Sequence, residues 1–215
     1  AKVIIVAVSP LIGLATMLKP IQILFSNLLT DGLLGLGMGM EASEKNIMHR
    51  PPYSPKESIL SRGVGRHISI IGPIIGFLLL SFGYVQWKLL DLPNLLQIID
   101  KDYRNTLFSD PRVLMWGTLM FTALGLMQVS RAFSSRSFIE PFWKQPFSTN
   151  KVLLGLIFTV IAVLMLVVYT PGVQTFFHVV GLSGANLGLC IAFAVIVLII
   201  MELVKAFERR KLAGS

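Results

Sequence analysis

The sequence predicts an all-α integral membrane protein, a bundle of six transmembrane helices. Its mean hydropathy is +0.74, and only 14% of its 215 residues are charged, against about a quarter in a soluble domain. Six apolar runs come close to the roughly 20 residues that a helix needs to cross a bilayer. Most charges fall between those runs, which are continuous rather than alternating as barrel strands are. The same features exclude disorder, collagen and coiled coil. One cysteine, Cys190, leaves no intrachain disulfide and no cysteine-rich zinc module. A formal charge of +8 raises nucleic acid as a partner, but the bases are spread over the connections instead of forming one face, so the lipid bilayer is the expected partner.

The predicted spans follow in order. Val3–Leu18 is short and contains Pro10. Ile21–Met40 is interrupted by Asn27, Thr30 and Asp31. Ile68–Trp87 contains Pro73, and Val113–Ser130 follows. Val152–Thr170 and Leu187–Phe207 are the cleanest. Lys19–Pro20 reads as a tight turn, and Gly181–Gly184 as a turn before the last span. A long polar loop, 41–67, separates the second and third spans; Ser54 and Pro55 are placed to start a short helix within it. The membrane domain is expected over 1–211, with 212–215 as a tail. The chain opens on Ala1 with no cleavable leader pattern and reads as part of a longer protein.

Charge sets the expected orientation. Loop 41–67, the connection 131–151 and the C-terminal end hold thirteen Lys and Arg, while the opposite side holds five, four of them offset by Asp91, Asp100, Asp102 and Asp110. The positive-inside rule then puts the C-terminal tail in the cytoplasm.

The second span carries the candidate chemistry. Asn27, Thr30 and Asp31 stand at i, i+3 and i+4, which in an α-helix is one face. A carboxylate near mid-bilayer costs about 2.5–3.5 kcal/mol even on the gentle insertion scale, so something must compensate it. A bound cation is one answer: amide, hydroxyl and carboxylate oxygens are hard donors that suit calcium, magnesium, sodium or hydronium. Gly32, Gly35, Gly37 and Gly39 would then unwind the helix and free backbone carbonyls as further ligands. The alternative is structural: Asp31 pairs with a neighbouring base, and the glycines permit close helix packing.

The segment Pro20–Gly32 closely resembles the sixth membrane helix of cation-transporting P-type ATPases, the calcium-pump branch above all. Ile47–Glu57 resembles that family's "IM..PPR.P.E" stretch, with Tyr53 where arginine is usual. Gln128–Ser137 is similar to the end of its eighth helix, and Glu202–Lys205 to the end of its tenth. The resemblance implies the second half of helix five followed by helices six to ten. It implies that Asn27, Thr30 and Asp31 coordinate the transported ion, calcium being favoured, and that Gln128 adds a ligand from the eighth helix. Lys2 falls where the family often has a glutamate. Two readings of it stand open: a tethered ammonium that takes the place of an ion, or a lysine that snorkels to the surface. The phosphorylated Asp-Lys-Thr-Gly-Thr motif does not occur in this sequence. ATP and magnesium would therefore be handled by upstream actuator, phosphorylation and nucleotide domains of a parent chain. The competing reading is a six-helix channel or non-catalytic membrane subunit without a motor.

Other polar residues have plainer expectations. Glu202 and Lys205, at i and i+3, read as an interfacial ion pair. His178 is expected to be solvated or packed, and His49 to hydrogen-bond within the long loop. Phe176 and Phe177 are expected to be interfacial or packing residues, and the methionines Met38, Met40, Met115, Met120 and Met127 to pack rather than to bind metal.

Overall fold

A computed structural model describes residues 2–16, 18–41, 58, 61, 64–94, 110–136, 141 and 149–213. The described residues form helices and connections, with no strand among them: α1 (Lys2–Leu11), α2 (Pro20–Gly39), α3 (Val64–Leu89), α4 (Pro111–Ser134), α5 (Lys151–Tyr169), α6 (Pro171–Phe177) and α7 (Gly184–Ala213). Ile47–Glu57, with His49 and the Ser54–Pro55 start signal, lies outside the described residues.

Five of the helices, α2, α3, α4, α5 and α7, are long and apolar enough to cross a membrane. The first predicted span differs. It is helical only over the 10 residues Lys2–Leu11, less than a bilayer requires. Its end has a specific cause. Gly13 takes a left-handed conformation (φ +81°), its N–H bonds the Pro10 carbonyl at 3.2 Å, and Leu14 N–H bonds the Ser9 carbonyl at 3.0 Å. These two bonds form a Schellman closure, which apolar content alone does not announce. Asp91 (φ 50°) closes α3 and His178 (φ 53°) closes α6 with the same bond pattern.

Helix α4 is the centre of the bundle: 83% of its span is buried, against 28–33% for the other four spans. In lipid, apolar side chains gain little by turning inward, so small and polar residues mark the contacts between helices. That composition is what α4 buries. The Thr118 hydroxyl donates to the Leu114 carbonyl (2.8 Å), and Ser130 donates across to the Ala194 carbonyl of α7 (2.8 Å). Trp116, fully buried, donates to the Gly83 carbonyl of α3 (2.9 Å) and meets Trp87 edge-on at 4.8 Å. Phe177 packs edge-on against Phe25 (5.2 Å) and lies near Phe121 (6.3 Å), tying α6 to α2 and α4, while Phe176 is exposed. Met120 and Met127 are core residues.

The Glu202–Lys205 pair forms at 2.9 Å, with both side chains buried among the helices. Ser134 of α4 donates to the same Glu202 oxygen at 2.8 Å, and Lys205 also donates to the Ser134 carbonyl. A charged pair removed from water needs such extra bonds.

Candidate functional site

Helix α2 changes character at its polar residues. It is α-helical over Pro20–Phe25, π-helical over Ser26–Gly32, and α-helical again over Leu33–Gly39. The start is set by Lys19, whose backbone N–H is taken by the Gln22 side chain at 3.0 Å. The irregular stretch therefore takes in Gly32 but ends before Gly35, Gly37 and Gly39. The helix is regular across Gly35 and Gly37, and Gly37 serves contact. A Cβ there would stand 2.9 Å from Leu153 Cδ1 and 3.2 Å from Leu153 Cα, so its absence lets α2 approach α5 closely.

The π-turn re-sorts the predicted face. Each residue advances by about 85° in a π-turn rather than about 100°, so positions i and i+4 align and i+3 swings away. Asn27 and Asp31 accordingly stay together, while Thr30 turns back on its own helix. The Thr30 side chain is buried, donates to the Ser26 carbonyl, and stands 3.3 Å from Ser26 Oγ.

Three helices converge on Asp31. From α1, Lys2 Nζ donates to Asp31 Oδ2 at 2.6 Å and to Asn27 Oδ1 at 3.0 Å. From α4, Gln128 Nε2 donates to Asp31 Oδ1, and Gln128 Oε1 accepts from Arg131 Nη1 at 2.8 Å. The ammonium thus engages the Asn27 and Asp31 oxygens that the sequence put forward as ion ligands. The Asp31 side chain remains 47% exposed and that of Lys2 18%. Arg131 was not singled out by sequence, although its place three residues after Gln128 was the available signal.

A second polar knot holds the C-terminal end of α2. Arg136 grips Glu41 with two bonds, Nη2 to Oε1 at 2.9 Å and Nε to Oε2 at 3.2 Å, and also donates to Thr149 Oγ1 at 2.7 Å. Asn150 Nδ2 donates to Glu41 Oε2 and to the Gly37 carbonyl, both at 2.9 Å, while its Oδ1 caps α5 by accepting from Leu153 N–H. Burial pushes the Glu41 carboxyl up. Bonds from Arg136 and Asn150, with the Arg136 charge, outweigh that and hold it below the ordinary value. The knot fixes α2 to the α4–α5 unit just beyond the π-turn.

Residues 15–207 match the family model described as "Cation transporting ATPase, C-terminus". The chain belongs to this family. It is 30% identical over 196 residues to the calcium-transporting ATPase of Bacillus subtilis, covering 91% of this chain and 20% of that protein. It is 26% identical over 207 residues to the calcium-transporting ATPase 1 of Lactococcus lactis, covering 96% and 21%. It is also 26% identical over 205 residues to the calcium-transporting ATPase type 2C member 2 of Rattus norvegicus, covering 95% and 20%. The chain spans about a fifth of the length of these relatives. As a member of the cation-transporting ATPase C-terminal family with five apolar spans, it is an integral membrane domain of P-type pump character.

Proposed function

We propose that this chain is the C-terminal membrane part of an ATP-driven cation pump, with calcium the favoured cargo, and that Asp31 is the charged centre of the half-site it supplies. The observation that carries this reading is the convergence on Asp31. A carboxylate within α2 is met by Lys2 of α1 and Gln128 of α4, and the same Lys2 ammonium reaches Asn27, at a π-turn of the kind found at functional sites. Asn27 and Asp31 supply oxygens to the ion, and Gln128 adds an amide. Thr30, placed among the ligands by resemblance, contributes through its backbone or after a rotamer change. Lys2 acts as the tethered cation: its ammonium neutralises Asp31 when no ion is present, which avoids a bare charge in the membrane.

A half-exposed carboxylate cannot rest against lipid without the cost noted above. A further part of the intact protein therefore covers this face, as the fivefold greater length of the relatives accommodates. Upstream actuator, phosphorylation and nucleotide domains would supply ATP hydrolysis with magnesium. The basic connections and C-terminal tail lie in the cytoplasm, and the first span is completed to give six.

A second reading has one observation in its favour. A pair as close as 2.6 Å between Lys2 and Asp31 also fits a permanent structural bridge. Calcium-stimulated ATP hydrolysis by the full-length protein separates the two. Under the transport reading Asp31→Ala abolishes stimulation and Lys2→Glu shifts the half-saturating calcium concentration. Retained stimulation in Asp31→Ala, with lowered thermal stability alone, would establish the structural bridge.

A further inference from the structure

Both ends of the Gln128 amide are engaged, and the side chain is only 4% exposed. The direction of the amide has no alternative: a guanidinium only donates and an ionised carboxylate only accepts. Gln128 therefore turns its nitrogen toward Asp31 and its oxygen toward Arg131. A metal ion needs the oxygen. Arg131 Nε is buried without a partner among the described residues, so its contact with the amide through Nη1 can be exchanged without breaking a second bond at Nε.

We propose that Arg131 is a positioning residue that lowers the cation affinity of the site by holding Gln128 as a donor to Asp31. The amide must turn over before Gln128 can ligate a metal ion, and turning it breaks the bond to Arg131. This inference rests on the transport reading above.

The test is the half-saturating calcium concentration for ATP hydrolysis by the full-length protein. Arg131→Met keeps the length of the side chain and removes the bond and the charge. It is expected to lower half-saturation by about tenfold, the worth of one charge-assisted hydrogen bond. In a Gln128→Ala background the same change should shift it by less than about twofold, because no amide is left to position. Arg131→Lys, which keeps the charge but loses the planar fork, is expected to shift it in the same direction by less, and serves if the Met variant does not fold. An unchanged half-saturation in both Arg131 variants, or a full shift that persists without Gln128, overturns the proposal and leaves the transport reading standing. If calcium stimulates neither wild type nor any variant, the calcium reading fails instead. Arg131→Met and Gln128→Ala must even then shift the thermal midpoint non-additively, and additive shifts would overturn the positioning role.

Discussion

Replacing Glu41 by glutamine keeps the size of the side chain and removes its charge. In the native arrangement Arg136, its side chain only 3% exposed, makes two bonds to the Glu41 carboxylate, and Asn150 makes a third. A glutamine offers one acceptor oxygen and turns an NH2 group toward donors. Removing one partner of a buried ion pair costs about 3–5 kcal/mol. Thr149 still accepts from Arg136, and the Glu41 side chain is 16% exposed, so the low end, about 3 kcal/mol, is expected. The pH dependence follows from the same bonds. The Glu41 carboxyl is held below its ordinary value of 4.5. Its stabilising contribution is therefore complete above the unfolded value and is lost as pH falls through the lower folded one. Thermal unfolding of the solubilised full-length protein, followed by its helical signal at pH 7 and at steps below pH 5, reads both effects. Glu41→Gln should unfold at lower temperature at neutral pH and lose less of its stability in acid than wild type. A variant within about 0.5 kcal/mol of wild type at pH 7, the range of an ordinary surface change, would refute the reasoning.

Three backbone predictions are read by the same unfolding measurement. Gly13→Ala places a β-carbon in a left-handed position, 1.8 Å from Asn94 Oδ1, and should cost about 1–2 kcal/mol or more. His178→Gly relieves a left-handed non-glycine residue at the end of α6 and should stabilise by about 0.5–1 kcal/mol. Gly37→Ala forces α2 away from Leu153 and should cost about 1–3 kcal/mol, whereas Gly35→Ala, with no atom within 4 Å, should be neutral or stabilising by up to about 1 kcal/mol.

Much of the fold was legible because lipid demands long apolar runs, and those runs survive as α2, α3, α4, α5 and α7. The end of α1 was not legible, because Ile12, Leu14 and Leu18 continue the apolar pattern beyond the last helical residue, Leu11. At the candidate site, the grouping of Asn27 with Asp31 follows from spacing under either helix type. The divergence of Thr30 does not, since the switch from α to π is a property of the packed backbone. The glycines after Asp31 promised unwinding; Gly37 instead allows contact with α5. Two readings of Lys2 stood open in the sequence, a tethered ammonium and a snorkelling lysine; in the structure its Nζ lies 2.6 Å from Asp31 Oδ2 and 3.0 Å from Asn27 Oδ1. Arg131, and the Glu41–Arg136–Asn150 knot, join residues too distant in sequence for spacing to pair, apart from the short step from Gln128 to Arg131.

Equilibrium calcium binding to the full-length protein, wild type beside Asp31→Asn and Lys2→Met, bears most directly on whether this carboxylate serves an ion. Asp31→Asn should lose a bound calcium, and Lys2→Met should bind at least as tightly as wild type, because the competing ammonium is gone. Unchanged binding in Asp31→Asn would contradict the ion-site assignment and leave Asp31 as the structural partner of Lys2.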